Sequence, residues 1–189
     1  MFYEFAHRHI DCIVDGNPDK VILSRDRRSS SVFFREYLFN GTFSPSSKVV
    51  SGSIVATDDS FLVQSLRVTT DKDKYCAMVK TNAVVEVQRW GQAYDVNDNP
   101  LGEPSFVTVQ SDVKVFASYV SARLRQEDIG LLPTTLYVLV MQTSVSINRP
   151  EGVDSPDRII MNDRPYQVDV IDDMKYPKLY HVQLSEDRR

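Results

Sequence analysis

Hydrophobic and polar residues alternate in short runs along most of the chain. The clearest runs are residues 53–55, 61–66, 83–87, 113–117, 136–140 and 166–170. A period of two with many β-branched and aromatic side chains predicts β-strands that bury one face. The longest apolar run, residues 136–141, has the length of a single strand. The pattern therefore predicts a mainly β fold with little helix.

Residues that favour turns separate these runs. Asn40-Gly41 suits a two-residue hairpin, because both central positions of such a turn need positive φ. Asp58-Asp59 and Asn162-Asp163 predict two further hairpins. The triplet Asn40-Gly41-Thr42 has the form of a glycosylation acceptor, and we interpret it as a turn.

Two segments are candidates for short helices. Residues 121–128 are followed by Gly130 and Pro133, which predicts the end of a helix there. Residues 30–39 are long enough for two or three turns, but their aromatic and β-branched side chains suit a strand as well.

An internal repeat relates two parts of the chain at an offset of 105 residues. Residues 54–82 fall on residues 159–187 without a gap, and the matches lie at alternating apolar positions. The identical residues are Ile54, Asp58, Val63 and Tyr75, which meet Ile159, Asp163, Val168 and Tyr180. A repeated unit of hairpin, connector and third strand would give this pattern.

One such three-stranded unit is too small to bury a core by itself. We therefore expect two related modules in tandem, each a small β-barrel or sandwich. The first is expected over residues 1–90 and the second over residues 106–189. Residues 91–105 are polar and rich in turn formers, and they are predicted to be the connection.

Composition narrows the classes of function. The chain has 189 residues and a net charge of −4, spread evenly, with a sequence pI of about 5.4. A protein that binds nucleic acid tightly through phosphates is usually much more basic. No apolar run approaches the length of a membrane span, and the first residues do not resemble a secretion signal. The sequence does not decide whether Cys12 and Cys76 form a disulfide, but it favours two buried thiols.

Two groups of polar residues have side chains that could bind a metal ion. Residues 95–99 place oxygen side chains as a calcium loop does, but Pro100 and Phe106 replace its glycine and glutamate, which favours a solvated turn. His7 and His9 would share one face of a strand near Asp11 and Cys12, yet no third metal ligand is evident.

The acidic groups are weaker candidates for catalysis. Asp169, Asp172 and Asp173 form one group, and Asp71 and Asp73 form another. Paired carboxylates serve as acid and base when their pKa values differ, but solvated carboxylates beside turns are more common. A small hydrolase using Asp169, Asp172 and Asp173 with His181 is a third and weaker alternative.

The sequence carries no linear motif of an enzyme. It lacks Gly-x-Ser-x-Gly, a phosphate-binding glycine-rich loop and His-Glu-x-x-His. We therefore predict no catalytic, cofactor-binding or metal site, and no enzymatic activity.

Two features suggest binding surfaces. The first is a basic cluster, Arg25, Arg27 and Arg28 followed by Ser29, Ser30 and Ser31, which would fit a phosphate or an acidic partner but is favoured as a solvated loop. The second is Trp90, for which an interface anchor and a structural position in the core or at a strand edge are equally favoured.

The C-terminal part resembles a known family. Residues 157–169 (DRIIMNDRPYQVD) look like the closing hairpin of the head-closure, or stopper, proteins in the head-to-tail connector of tailed bacteriophages. Residues 179–187 (LYHVQLSED) resemble the last strand of the same module. Upstream, residues 122–128 followed by residues 136–139 are similar to the family's short helix and next strand. The resemblance covers roughly residues 106–189. The N-terminal portion of this chain is an addition that the small stopper proteins do not have.

This resemblance implies a structural role in the virion neck. Such proteins form rings, commonly hexamers, between the portal or adaptor and the tail-terminator or tail-tube proteins, and packaged DNA passes through the ring without sequence-specific binding. The implied location is the virion, after assembly in the host cytoplasm. A mildly acidic chain would repel the DNA backbone, which is consistent with that role.

Other functions stay open on the sequence. A tail-terminator-like or adaptor-like neck subunit is one alternative. Another is a free-standing barrel or sandwich that binds a peptide or carbohydrate in a groove lined by Trp90, Tyr94 or Tyr119. If the neck role holds, residues 118–135 and 67–74 are expected to contact neighbouring subunits or the channel, because they are the least β-like segments of the modules.

Overall fold

The structure is a computed structural model, and it describes residues 2–26, 36–150 and 155–189. Its helices are a 3₁₀ helix, Phe2–Arg8, and α1, Ala122–Glu127. Its strands are β1 (Ile10–Val14), β2 (Asn17–Arg25), β3 (Leu38–Phe43), β4 (Ile54–Ala56), β5 (Ser60–Val68), β6 (Lys74–Lys80), β7 (Ala83–Tyr94), β8 (Pro100–Tyr119), β9 (Tyr137–Gln142), β10 (Arg158–Met161), β11 (Arg164–Tyr176) and β12 (Leu179–Glu186). The mainly β prediction is confirmed.

The first six strands form a closed antiparallel barrel in the order β1-β2-β3-β6-β5-β4. Pairing of Ile13 with Ala56 and of Val14 with Val55 closes it. Inward-pointing residues, which alternate with outward-pointing ones along each strand, fill the interior, as a small barrel requires. That core contains Val14, Val21, Phe43, Val49, Val55, Phe61, Val63, Cys76 and Met78.

The last six strands form a second closed barrel, in the order β10-β11-β12-β9-β8-β7. Listed from β7, this order is β7-β8-β9-β12-β11-β10, which is the order of the first barrel with each strand number raised by six. Strands β1 to β6 therefore correspond one to one to strands β7 to β12. Pairing of β7 with β10 closes the second barrel as β1 with β4 closes the first. The prediction of two related modules in tandem is confirmed, and both modules are barrels.

The offset of 105 residues holds for two of the three repeated strands. It places β5 on β11 and β6 on β12, and Phe61 and Tyr166 are both buried. In β4 and β10 the correspondence shifts by one residue, because Phe61 pairs with Val55 whereas Tyr166 pairs with Ile159. The cause is turn length, since residues 57–59 join the first hairpin and only residues 162–163 join the second.

The hairpin turns are partly as predicted. Asn162 and Asp163 both have positive φ, as a two-residue hairpin needs. The turn predicted at Asn40-Gly41 is wrong, because both residues lie inside β3 between β2 and β6. Gly41 serves packing there, since a Cβ at this position would lie 2.6 Å from Cε of Met78. Close approach to the core side chains is the reason for glycine.

The two helix candidates had different outcomes. The segment 121–128 contains α1, whose N-cap Ser121 accepts a hydrogen bond from the Leu124 amide at 3.2 Å. Most of the segment 30–39 lies outside the described residues, and Leu38 and Phe39 begin β3. Within the described ranges, no helix has the length and apolar character needed to cross a bilayer.

The chain divides into two compact units. One contains Met1–Asn82 with Asp173–Tyr180, and the other contains Ala83–Asp172 with His181–Arg189. The division between Asn82 and Ala83 differs from the predicted end at residue 90. The segment 91–105, predicted as the connection, instead belongs to the hairpin of β7 and β8. Its polar, turn-rich composition suits the exposed end of a long hairpin as well as a linker.

Candidate functional site

The hairpin of β7 and β8 extends well past the barrel to which it belongs. Strand β10 pairs with β7 only over Val85 to Gln88, and β9 pairs with β8 only over Phe116 to Tyr119. Between these limits the two strands pair with each other, up to Tyr94 opposite Pro100. We call residues 89–112 the arm. An isolated two-stranded ribbon is marginally stable in water, so the arm is the part of this fold that most needs a partner.

The arm exposes an unusual amount of apolar surface. Trp90 is 44% exposed and packs edge-on against Phe106, with ring centroids 5.0 Å apart. The other large hydrophobic side chains exposed on the arm are Tyr94, Val96, Leu101, Val107 and Val109. Trp90 lies opposite Phe106 and Val107 lies opposite Arg89, so these exposed side chains are distributed over both faces of the ribbon.

The charge of the arm has one sign beyond its base. From residue 90 to residue 109 the chain contains Asp95, Asp98 and Glu103 and no Lys, Arg or His. The β-branched stretch 105–110 contains no charge at all. Strand edges in proteins that stay single are usually blunted by lysine, proline or a covering element. Here Pro100 and Pro104 precede the stretch, and the Ser146 amide donates to Gln110 Oε1 at its end, at 2.9 Å.

Two ion pairs fix the base of the arm. The Arg89 guanidinium donates from Nε and Nη2 to the Asp157 carboxylate, each at 2.9 Å, and the Asn148 amide donates to the same carboxylate at 2.7 Å. The hydrogen bond to Asp157 raises the pKa of Arg89. The Asp157 side chain is buried, so this pairing orients β7 where it leaves the barrel.

The second ion pair lies under Phe106. Arg158 donates to Asp187 at 2.7 Å, and Arg189 donates to the same carboxylate at 3.0 Å. Both guanidinium groups lie over the Phe106 ring, at 3.6 Å and 5.0 Å from its centroid. These cation–π contacts hold the Phe106 ring in place. Trp90 lies opposite Phe106 on the neighbouring strand and packs on that ring, so its position is fixed as well.

The tip of the arm is the segment compared with a calcium loop. The Asp95 carboxylate accepts hydrogen bonds from the Asn97 and Asn99 amides at 2.8 and 2.9 Å and from Asn99 Nδ2 at 3.1 Å. The Asn99 bonds, followed by the Asn97 bond, hold the pKa of Asp95 below its usual value. Asp98 adopts positive φ. The segment is the solvent-exposed turn that the sequence favoured.

The first barrel has an apolar cleft of about 1000 Å³ beside its 3₁₀ helix. Side chains from the 3₁₀ helix, β1, β2 and the β4–β5 turn line it, among them Tyr3, His9, Ile13, Pro18, Lys20 and Thr57. β1 borders this cleft through Asp11, Cys12 and Ile13, and its pairing with β4 is confined to Ile13 and Val14.

The proposed pair of histidines is not built as the sequence suggested. His7 lies in the 3₁₀ helix rather than on a strand. His9 stacks on Phe2 with centroids 4.1 Å apart, and its Nε2 donates to the Phe2 carbonyl at 3.0 Å. Asp11 pairs with Lys20 at 3.6 Å, and Cys12 is buried. The prediction that both histidines share one face of a strand is wrong, because the segment from Phe2 to Arg8 forms a 3₁₀ helix that buries Phe2 instead of an extended strand.

The acidic residues have separate roles. The Asp73 carboxylate is buried and accepts a hydrogen bond from the Phe2 amide at 2.8 Å, which fastens the N-terminal segment, whereas Asp71 is exposed in a turn. Asp169 lies in β11 and accepts from Ser185 and Gln167. Asp172 and Asp173 also lie in β11, not in a loop.

The remaining candidates do not form one site. Arg25 is exposed at the end of β2, and the rest of the basic cluster, residues 27–31, lies outside the described residues. Trp90 and Tyr94 are on the arm, whereas Tyr119 ends β8 and packs edge-on against Tyr137 at 5.5 Å. His181 is buried in β12. Among the described residues no three His, Cys, Asp or Glu side chains are grouped to hold a metal ion.

The loops expected to meet neighbouring subunits bond within their own units. Gln183 accepts from the Leu132 amide and the Thr135 hydroxyl and donates to the Gly130 carbonyl, so it anchors the loop after α1. Thr69 and Asp73 close the turn at 67–74 by a backbone hydrogen bond of 2.8 Å.

Sequence reasoning missed the arm. The sequence signal for the arm is the uncharged run 105–110, which spans the predicted boundary between the connection and the second module. A scan for aggregation-prone edge segments would have found it. In comparisons with known proteins, no protein-family model and no curated protein matches this chain.

Proposed function

We propose that this protein is a structural subunit of the neck of a tailed bacteriophage, where copies form a ring that joins head to tail and closes the DNA channel. The observation that carries the proposal is the arm, a projecting ribbon with exposed aromatic and aliphatic side chains. Such a ribbon suits attachment to a partner, and the closed second barrel provides its base.

The chemistry of the described residues fits a role in assembly. The second barrel contains the segments that resemble the stopper module, and the arm is the outer part of the β7–β8 hairpin of that barrel. The partners in this proposal are further copies of the chain, in a ring of about six, together with portal or adaptor proteins on one side and tail-terminator or tail-tube proteins on the other.

Charge is compatible with DNA passing nearby. The arm carries three carboxylates and no cation beyond its base, and the whole chain has a net charge of −4. Phosphate groups would be repelled by such a surface and not held by it. This proposal assigns the protein no catalysis and a location in the virion neck.

Purified particles test the proposal directly. The protein should be present in intact virions at a fixed number of copies, in the same fraction as portal and tail proteins. A phage lacking the gene should make filled heads without tails that lose DNA. Intact, infectious particles from which the protein is absent would overturn the proposal.

The cleft of the first barrel supports a second candidate, a binding module for a peptide. Its size and apolar lining suit an extended peptide better than a carbohydrate, which needs more polar partners. This candidate predicts a protein that works outside the particle, so the same fractionation separates the two. A tail-terminator-like position within the neck is distinguished by which neighbour crosslinks to the arm.

A further inference from the structure

We propose that Arg189 is the releasable member of a clasp that sets the direction in which the arm leaves the second barrel. The clasp consists of Arg158, Asp187 and Arg189, which grip the arm through the Phe106 ring. When Arg189 leaves this ring, the arm becomes free to swing about its base. The inference goes beyond the proposed function, because it concerns a movement of this chain by itself, whatever partner the arm binds.

The arm is anchored at two neighbouring rungs of its ladder. Arg89 lies opposite Val107, and Trp90 lies opposite Phe106. The buried Asp157 carboxylate fixes Arg89, and the two guanidinium groups of the clasp fix Phe106. Each strand of the arm therefore has one anchored residue at the base.

The ladder is irregular on both sides of these rungs. The register of β7 against β8 shifts between Val85 and Gln88, and it shifts again after Gly91. Such bulges interrupt the ladder and let a ribbon bend and twist. Strand β10 holds the inner irregularity in the barrel as far as Gln88, whereas the ladder above it is held by the anchored rungs. The contacts of these rungs therefore define the direction of the arm.

The two guanidinium groups of the clasp are held with different firmness. Arg158 belongs to β10, its side chain is 14% exposed and it lies 3.6 Å from the centroid of Phe106. Arg189 lies beyond the end of β12, its side chain is 31% exposed and its distance from the same centroid is 5.0 Å. Arg189 is therefore the member that can leave without opening the barrel.

Polar partners give Arg189 a defined closed position. Its amide, Nε and Nη2 donate to the Asp187 carboxylate at 2.9, 3.0 and 3.0 Å. Its Nη1 donates to the Ser155 hydroxyl at 2.6 Å and to the Pro156 carbonyl at 3.2 Å. The Asp187 side chain is completely buried, and hydrogen bonds between charged groups are the strong ones. Because these bonds converge on one side chain, they are lost together when Arg189 is released.

The clasp bears on how the arm meets a partner. A partner that binds one of two arm directions shifts the population towards that direction. With the clasp closed, the arm is already ordered for a partner that fits this direction, which lowers the entropy cost of binding. A partner that needs another direction must first displace Arg189 from Phe106.

The swing is measured on the full chain by the distance between two spin labels. Val84→Cys and Val96→Cys supply the sites, since both side chains are more than half exposed and Val84 lies on β7 before the arm, whereas Val96 lies in its tip. Cys12 and Cys76 are buried, so labelling is directed to the two new thiols. The parent protein should give one narrow distribution of distances.

Matched variants of two neighbouring arginines test the clasp. Arg189→Met keeps most of the side-chain length and removes the guanidinium, so it should broaden the distance distribution about 2-fold or more. Amide exchange in the arm should accelerate at least ~10-fold in the same variant. Arg188→Met should change neither quantity, because the Arg188 side chain is 86% exposed and bonds to Glu186. Equal behaviour of the two variants overturns the proposal.

Two further readouts separate a clasp from a general loss of stability. Exchange at Leu184, fully buried in β12, should stay at the parent rate in Arg189→Met, and a rise in step with the arm overturns the proposal. Phe106→Leu should broaden the distribution as Arg189→Met does, and the double variant should add little, because both act through one contact. Additive effects overturn the clasp. All these measurements use the isolated protein, so their failure leaves the neck role untouched, and absence of the protein from virions leaves the clasp untouched.

Discussion

Arg89 and Asp157 form a two-bond ion pair, with both hydrogen bonds 2.9 Å long, at the point where β7 leaves the second barrel. The carboxylate is almost completely buried, whereas the guanidinium is one-third exposed. The Asn148 amide donates to the same carboxylate, so Asp157 joins the arm to the segment before β10. Burial makes this pair costly to break from one side.

Replacing Asp157 with Asn should therefore destabilise the fold by about 3 kcal/mol. The amide keeps the size of the side chain but leaves the Arg89 cation without its counter-charge. The free energy of unfolding from urea titration measures this loss, and faster amide exchange in the arm should accompany it. Glu127→Gln removes the partner of Arg123 in an exposed ion pair and should cost less than ~0.5 kcal/mol. Equal losses in the two variants would contradict the role of burial.

The second ion pair predicts a dependence of stability on pH. Burial alone would raise the pKa of Asp187, but hydrogen bonds from Arg189 and Arg158 outweigh burial and lower that pKa to about 2. A carboxyl whose pKa is lower in the folded state stabilises the fold above its unfolded pKa of about 3.8. This contribution, on the order of 2 kcal/mol, should be lost as the pH falls from about 4 to 2.

Asp187→Asn isolates that contribution. The variant should be less stable than the parent protein at pH 7, and the difference should shrink as the pH approaches 2, because the parent carboxyl is then protonated. Urea midpoints at a series of pH values measure it. The neighbouring Glu186→Gln, which removes a mostly exposed partner of Arg188, is the control. A difference that is constant with pH would show that the loss is due to packing.

Much of this fold could be predicted because the same constraint acts twice. The offset of 105 residues carries the strand pairing of β5 with β6 and of β11 with β12, where alternating side chains must face a core. At β4 and β10 the offset is wrong by one residue, because the turn that follows each strand has its own length and the core accommodates both the longer and the shorter turn. Periodicity therefore predicts strands better than it predicts the joints between them.

The candidate site was less predictable for a related reason. Asn40-Gly41 has the sequence of a hairpin turn, yet the space beside Met78 determines its place inside β3. The segment 91–105 has the composition of a linker, yet its ends pair as strands. Both errors arose because local composition cannot show which distant strand lies opposite.

Gly41→Ala should destabilise the first barrel by about 1–3 kcal/mol. A Cβ there would lie 2.6 Å from Met78 Cε and 3.0 Å from Phe43 Cε2, and both side chains are fully buried. Gly91→Ala is the matched control, because nothing lies within 4 Å of its added Cβ and the substitution lowers the entropy of the unfolded chain. In a Met78→Ala background the cost of Gly41→Ala should fall, which a double-mutant cycle measures. An undiminished cost would point to the contact with Phe43 instead.

Gln183 predicts the behaviour of the loop after α1. Its buried amide satisfies the Leu132 amide, the Thr135 hydroxyl and the Gly130 carbonyl. Gln183→Met keeps the length of the side chain and leaves these groups unpaired, so it should cost about 2–3 kcal/mol and increase amide exchange at Leu132. Gln126→Met on the exposed face of α1 should change neither quantity. An unchanged exchange rate at Leu132 would show that other contacts hold the loop.

The two cysteines predict slow thiol chemistry in the folded protein. Both are buried and free, which agrees with the expectation of two thiols. Burial, together with the charges of Asp19 and Asp11, raises the pKa of Cys12 to about 12, and burial outweighs Lys74 to raise that of Cys76 to about 12. Because the thiolate is the reactive form, both should react with a disulfide reagent at pH 8 at least ~10³-fold more slowly than an unperturbed thiol.

A Ser65→Cys variant supplies an exposed control thiol on β5. Rapid modification of two thiols in the parent protein, at the rate of the control, would mean that the first barrel opens readily, whereas two thiols that appear only in urea would show that its core stays closed.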